Sequence, residues 1–464
     1  MNRFIVPFLA IILASSCSST KRAVDPQITL PDKVVAELSK DTLCIADMHW
    51  SEIFADTLLQ KLIKKTLDNN KDLLSATAKV EELEKRHRVV RADQFPTISG
   101  EAYVDRETNN YGGNGSKTDI EVVAKLSLSW EVDFFGRLRH ANREALASYL
   151  QSVEGQRALQ ITLISQVATS YFQLVALDSE LEIISRTLET REEDLNKAKL
   201  RFEGGLTSEI PYQQAQVEYA TTASLIPDLL RKIEIKENEI SLLTGELPSD
   251  IERARIYRYD ITKAQLKVGI PSDLLKRRPD IRAAEQGLKG AMEGVGFAWA
   301  DRFPRFVISL EGGLENNGFE GFFSSPLTYM IGELTSPIFS FGKRKAKYEA
   351  AIKAYDAERF QYEKKVLQAF KEVNDAVISY TSANKTVELM QNLKESSRKY
   401  VDLALFQHIN GHINYIDVLD AQRSYLNAEI DYSNAIRDEY IALIELYKAL
   451  GGGWKGIKEN KNEK

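Results

Sequence analysis

The stretch Ile120-Glu121-Val122-Val123-Ala124-Lys125-Leu126-Ser127-Leu128-Ser129-Trp130-Glu131 alternates along its whole length. Ile120, Val122, Ala124, Leu126, Leu128 and Trp130 fall on one face, and Glu121, Val123, Lys125, Ser127, Ser129 and Glu131 on the other. A period of two over about a dozen residues predicts a strand with one apolar and one wet side. That is also the length and pattern of a membrane-spanning strand, with Trp130 placed for an interfacial aromatic girdle. Upstream, residues 97–107 predict its partner, with Ile98, Ala102 and Val104 opposite Ser99, Glu101 and Asp105. Between them Asn109 to Lys117 is rich in glycine and asparagine and reads as an exposed hairpin loop. Pattern alone does not separate this reading from an amphipathic hairpin packed on a soluble core.

Downstream the periodicity changes. All twelve prolines lie at 7, 26, 31, 96, 211, 227, 248, 271, 279, 304, 326 and 337, so none falls in 97–210 or after 337. Residues 137–203 hold a single glycine, Gly155. One helix over that run would extend about 100 Å, far beyond a globular domain's width. Leu174, Leu181, Leu188, Leu195 and Phe202 recur every seven residues, with Leu177, Ile184 and Ala198 as further seam positions, which predicts coiled-coil packing. Residues 343–410 repeat the design through Val366, Val373, Tyr380 and Val387, with polar Asn384 and Gln391 following Phe370 and Val377 on the companion row. Turns at Glu203-Gly204-Gly205 and Asn410-Gly411 then predict return helices of about 35 residues each. Pro227 should kink the first, whereas its counterpart in the second is Ser433.

The chain is written twice. Ala92-Asp93-Gln94-Phe95-Pro96 recurs as Ala300-Asp301-Arg302-Phe303-Pro304 at an offset of 208. Phe135-Gly136-Arg137 recurs as Phe341-Gly342-Lys343, and Ala215-Gln216 as Ala421-Gln422, at an offset of 206. A near-constant offset over that span predicts two copies of one unit of roughly 200 residues, not a short-period solenoid. The second copy supplies Phe306, Ile308, Leu310 and Leu314 opposite Ser309 and Glu311, then a less regular strand near 327–335. The expected organisation is 1–16 signal peptide, 17–49 anchored segment, 50–245 first repeat with hairpin 97–131, 246–279 linker, 280–452 second repeat with hairpin 305–335, and 453–464 charged tail.

Four strands per chain cannot close a membrane barrel, which needs about eight. An open edge in lipid would leave backbone groups unpaired at several kcal/mol each. Strands in a membrane would therefore have to be pooled among several copies.

Composition narrows the classes. With 61 basic against 67 acidic residues the net charge is −6, so nothing suggests a nucleic-acid partner. Two cysteines exclude a disulfide-dense scaffold and a cysteine-rich zinc module. Met1-Asn2-Arg3, the apolar run Phe4–Leu13 and Ala14-Ser15-Ser16-Cys17 read as a secretory leader. Its end is similar to a bacterial lipobox with Cys17 as the acylated residue, although Leu13 sits four residues before the cysteine instead of three. Cys44 would then be a lone, inert thiol. No phosphate loop and no catalytic constellation appears, so no enzyme activity, cofactor or metal is expected. His408 and His412 are four apart, but Asn410-Gly411 interrupts the helix a zinc pair would need.

Trp130-Glu131-Val132-Asp133-Phe134-Phe135-Gly136-Arg137-Leu138-Arg139, Leu274-Leu275-Lys276-Arg277-Arg278-Pro279-Asp280-Ile281, Leu419-Asp420-Ala421-Gln422-Arg423 and Leu446-Tyr447-Lys448-Ala449-Leu450-Gly451-Gly452-Gly453-Trp454 resemble the TolC-type outer membrane factors, and most of all their OprM, CusC and NodT lipoprotein branch. The resemblance implies a mainly α chain with a small β part. It implies long helices forming a coiled-coil barrel, four membrane strands per chain and two internal repeats, completed as a homotrimer with a 12-stranded β-barrel. It also implies a lipid-anchored outer-membrane channel reaching into the periplasm, working with a periplasmic adaptor and an inner-membrane transporter of the RND type. Conduction would be passive, through a tripartite efflux system.

In such proteins the helix after the second periplasmic turn carries acidic residues at the closed tip. By resemblance Asp417 and Asp420 are the pore constriction, and Arg423 is their salt-bridge partner. The two aspartates lie three apart, on one helix face. In a threefold ring, like charges 6–8 Å apart repel by roughly 2–3 kcal/mol per pair at an effective dielectric near 20. Pro211 and Gln214 occupy the matching positions of the first copy, so the rings would come from the second copy alone. His408 and Ile413 stand where TolC has a tyrosine and an arginine, which argues against its particular latch here. The alternatives are a non-porous periplasmic coiled-coil scaffold, an exit duct for type I protein secretion and, more remotely, a histidine-dependent periplasmic metalloenzyme.

Overall fold

The structure, a computed structural model, describes residues 48–110, 112, 116–254, 277–336 and 339–452. The expectations for the leader, Cys17, Cys44, most of the linker and the tail lie outside the described residues. The elements run α1 (Trp50–Ile53), α2 (Thr57–Asn69), α3 (Lys71–Ala92), β1 (Thr97–Asn110), β2 (Ser116–Val132), α4 (Arg137–Glu203), α5 (Glu209–Ala223), α6 (Leu225–Leu243), α7 (Pro279–Ala300), β3 (Arg305–Asn316), β4 (Pro326–Thr335), α8 (Lys343–Ile409) and α9 (Tyr415–Ala449). The protein is thus mainly helical with one small sheet. Its described residues divide into two units, one of 79–153 and 283–364 and one of 48–78, 154–254, 277–282 and 365–452.

The first unit carries a four-stranded antiparallel sheet in the order β1-β2-β3-β4. Its register pairs Glu101 with Lys125, Ala102 with Ala124 and Leu128 with Leu310, so the alternation read in β2 continues across its neighbours. Lys125 meets Glu101 at 3.5 Å and Glu311 at 3.3 Å. On the opposite face Ile98, Leu126, Leu310 and Met330 are exposed. The chain crosses closely at Gly313, where a Cβ would stand 2.3 Å from the Ala124 carbonyl oxygen. Both outer edges, β1 and β4, lack a strand partner among the described residues.

The first hairpin corrects the sequence reading. Asn109, Asn110, Ser116 and Lys117 belong to the ladder and not to the loop. Polar residues extend it because cross-strand bonding replaces apolar packing: the Thr108 and Thr118 hydroxyls lie 3.0 Å apart. β4 is likewise a regular partner of β3 along its ten residues.

Helices α4 and α8 are each 67 residues long, without interruption, and each contributes residues to both units. The return helices differ as Pro227 requires. Lacking an amide proton, it cannot bond the Ala223 carbonyl, and the first return breaks there into α5 and α6 around Ser224. The second, α9, runs unbroken for 35 residues.

The second unit has its core where α2, α4, α8 and α9 meet. Leu59, Ile63, Tyr171, Val373, Leu443 and Tyr447 are buried there, and Phe172 stacks on Tyr440 at 4.4 Å. Each such apolar side chain contributes about 1.5–3 kcal/mol of burial. Of the predicted seam, Leu174, Ile184, Val366, Val373 and Val387 are buried. Asn384 is accommodated by donating to Glu439 at 2.8 Å. Arg278, buried at the linker's end, ties three elements together. It bonds the Ala449 carbonyl at 3.0 Å, Glu372 at 2.5 Å and Asp280 at 2.8 Å. Burial opposes its charge, but Asp280 and Glu372 outweigh burial and raise its pKa.

Candidate functional site

Two equivalent turns build the tip of the second unit. At the end of α4, Gly205 adopts φ +69°, and Leu206 N–H returns to the Arg201 carbonyl at 2.8 Å. At the end of α8, Gly411 adopts φ +76°, and His412 N–H returns to the Gln407 carbonyl at 2.9 Å. Left-handed glycines close both helices and hand the chain to α5 and α9. His408 Nδ1 donates to the Ile413 carbonyl at 3.1 Å, which commits that ring nitrogen to the turn.

All three residues singled out in the sequence lie on the first turns of α9, and all are exposed. Their roles differ. Asp417 accepts the backbone N–H of Asn414 at 3.0 Å, capping its own helix from the third position. Its charge also sits at the positive end of the helix dipole. Asp420, one turn on, has no hydrogen bond or ion pair among the described residues and is the more available of the two. Arg423 does not close on Asp420. Its Nε donates to Glu218 of α5 at 2.8 Å, and its Nη2 bonds the same carboxylate. Glu218 foremost raises the Arg423 pKa, with Asp420 the smallest contributor.

Glu218 has a second cation. Arg191 of α4, buried, reaches its other oxygen at 3.4 Å and donates to the Gln422 side chain at 2.5 Å. Gln422 in turn donates to Asp194 at 3.2 Å. Burial pulls the Arg191 pKa down, and Glu218 opposes that pull. Tyr415 lies over the same spot, its phenol pushed up to about 12 by burial and then by Asp194. Its hydroxyl has no hydrogen-bond partner among the described residues. Farther along α9, Glu429 is buried against Arg186 at 2.7 Å and the Tyr425 hydroxyl at 2.9 Å. Charged groups thus lace α9 to α4 and α5. Beside them an open cleft of about 520 Å³ is lined by Ile210, Val217, Glu218, Ile416, Leu419 and Arg423, among others.

Arg191, Glu218, Gln422 and Tyr415 were not anticipated as site residues. The signal was present: Arg191 continues the seam row of Leu177, Ile184 and Ala198 at seven-residue spacing. A cation at a seam position demands a counter-charge.

The family model described as outer membrane efflux protein matches residues 62–246 and 270–452. The solvent efflux pump outer membrane protein SrpC of Pseudomonas putida is 32% identical over 409 residues, covering 87% of each chain. The cation efflux system protein CusC of Escherichia coli O157:H7 is 30% identical over 470 residues, covering 97% of this chain and 99% of that one. Among solved structures, the outer-membrane channel OprN superposes with TM-score 0.87 at 26% identity, covering 94% of this chain and 99% of OprN.

Proposed function

Because the chain belongs to the outer membrane efflux protein family, we propose that three copies pool their strands into one 12-stranded barrel. The chain is the outer-membrane channel component of a tripartite efflux system, partnered by an adaptor and an inner-membrane pump, and it is not an enzyme. The observation that carries the trimeric reading is the sheet. It has four strands, two edges unpaired among the described residues and an exposed apolar face holding Ile98, Leu126, Leu310 and Met330. In lipid such edges must be paired, and neighbouring copies offer the complementary strands. The wet face, with Glu101, Asp105, Glu121, Glu311 and Glu333 around Lys125, then lines the lumen.

The long helices form the periplasmic tunnel, anchored to the membrane by acylated Cys17. Its tip is a gate. Asp417 and Asp420 of three copies form two carboxylate rings, and mutual repulsion makes them a cation-binding constriction. Arg423 holds the wall beside the rings by pairing with Glu218 and lends Asp420 positive potential. Flow through the conduit is passive, driven by an inner-membrane transporter of the RND type that selects the cargo.

Planar-bilayer recording of the purified full-length protein tests this. A conducting protein whose current is blocked by divalent cations, with block relieved in Asp417→Asn/Asp420→Asn, is the expected result. A protein that inserts and stays electrically silent would favour a scaffold.

A further inference from the structure

Helices α4 and α7 adjoin the sheet's two middle strands, and three titratable side chains meet between them. α4 leaves β2 through Gly136, and α7 enters β3 through Pro304. His140 of α4 places its Nδ1 2.6 Å from one carboxylate oxygen of Glu293 on α7. An ionised carboxylate only accepts, so this ring nitrogen carries the proton. Arg143 reaches the other Glu293 oxygen at 3.9 Å. Glu144 stands one turn along α4 from His140, and burial, followed by the Glu293 charge, pushes its carboxyl up. Glycines on α7 make room for the cluster. A Cβ at Gly296 would lie 2.5 Å from the His140 ring, and one at Gly294 would lie 3.5 Å from the Glu144 carboxylate. The surrounding charges are committed elsewhere. Toward the strands, Arg139 pairs with Asp133 at 3.3 Å. From the end of α3, neutral Gln94 donates to the Leu138 carbonyl at 3.3 Å. From α8, Glu358 approaches α7 at Gly287, nearly two turns from Glu293. No other ion pair reaches His140, Glu144 or Glu293 among the described residues.

With both carboxyl groups ionised, Glu144 and Glu293 repel each other in a partly dry contact. Acidification neutralises Glu144 and leaves Glu293 to accept from His140 and Arg143. An imidazole gains its charge between pH 5 and 8, and the cation bonds a carboxylate more strongly. Both changes act in one direction. A carboxyl raised in the folded state contributes stability that is present at low pH and lost as pH rises, and a histidine held by a carboxylate behaves alike. We propose that His140, Glu144 and Glu293 form an acid-tightened joint between α4 and α7, which stiffens the base of the β2–β3 pair as pH falls. The joint lies within one chain, because α4 and α7 are joined through the paired strands β2 and β3, and no neighbouring copy is needed to make it. The repeat holds no second joint: Ala346 and Ala350 occupy the matching positions of α8, and Lys85 that of α3. It is also independent of the aspartates assigned to the gate.

Amide hydrogen exchange of the full-length protein in lipid nanodiscs tests this, at about pH 7.5 and about pH 5.5, with rates referred to the unstructured chain at each pH. Residues 141–147 and 290–297 should become about five-fold or more better protected at the lower pH, the yield of a charge-assisted hydrogen bond discounted for partial exposure. The matching stretch of α8, 347–353, should not change. Glu144→Gln imitates the protonated carboxyl and should raise protection at the higher pH. His140→Asn keeps a donor for Glu293 without titrating, and the two together should remove the pH dependence. No gain in the parent at 141–147 and 290–297, or an equal gain at 347–353, overturns the proposal without any variant. A pH dependence that survives in the double variant overturns it as well.

Discussion

Arg423 pairs with Glu218, its Nε 2.8 Å from the carboxylate, and Glu218 is shared with Arg191. One acid on α5 therefore serves a cation that is 50% exposed and another that is 2% exposed. The two partners should respond very differently to its loss. An exposed pair contributes about 0.2–1 kcal/mol, but removing one member of a buried pair costs roughly 3–5 kcal/mol. Glu218→Gln should thus loosen the tip by several kcal/mol, whereas Arg423→Gln should cost about 1 kcal/mol or less. Limited proteolysis near Gly205 and Gly411, together with thermal unfolding, measures both. Equal effects would show that Arg191 does not depend on Glu218.

Asp417 caps α9 and Asp420 has no hydrogen-bond or ion-pair partner among the described residues, so their substitutions separate helix stability from gating. Asp417→Ala should cost about 1 kcal/mol as a lost cap, while Asp417→Asn keeps an acceptor for Asn414. Asp420→Asn should leave thermal stability unchanged and weaken divalent-cation block by about ten-fold or more, given repulsion of roughly 2–3 kcal/mol per pair. Thermal unfolding and bilayer recording of the same preparations check this. Unchanged block in Asp420→Asn would take that residue out of the constriction.

How far the sequence carried this picture depended on the kind of signal. The long helices α4 and α8 were legible because proline is absent and apolar residues recur every seven positions. The apolar face of β2 was legible because alternation survives even where Val123 breaks polarity. The polar ends of the first hairpin were not, since Thr108, Asn109 and Lys117 carry loop composition while forming ladder. Pairing at the tip was harder still. The 206-residue offset maps Arg423 onto Val217, one position away from the acid that binds it, so the repeat logic pointed past Glu218. Periodicity tells which face of a helix is buried, but not which charge on the next helix meets it.

Alkaline titration offers a check on Tyr415. Its phenol is raised from 10.0 to about 12 in the folded protein, so from pH 10 upward the unfolded chain loses its proton first. Stability should therefore decline between about pH 10 and 12. Tyr415→Phe should flatten that decline and cost little at neutral pH, because the hydroxyl has no hydrogen-bond partner among the described residues. Unfolding midpoints across that pH range measure it. A slope identical in both proteins would mean that Tyr415 is not buried.

Adjacent glycines in β3 supply a matched pair. A methyl group at Gly313 would stand 2.3 Å from the Ala124 carbonyl oxygen, while one at Gly312 would meet the Thr328 methyl at 3.7 Å and the Leu327 carbonyl oxygen at 4.0 Å, both ordinary contacts. Gly313→Ala should separate β2 from β3 and cost about 3 kcal/mol or more, with Gly312→Ala close to neutral. The folded fraction recovered in outer-membrane preparations checks the contrast. Comparable yields would show that the two strands do not approach closely at Gly313.

The β1 and β4 edges are unpaired among the described residues, and native mass measurement of the full-length protein released from lipid nanodiscs counts the neighbours that the proposed trimer supplies. Three copies in one particle is the expected result, with both edges paired between chains. A stable single copy in the bilayer would contradict it.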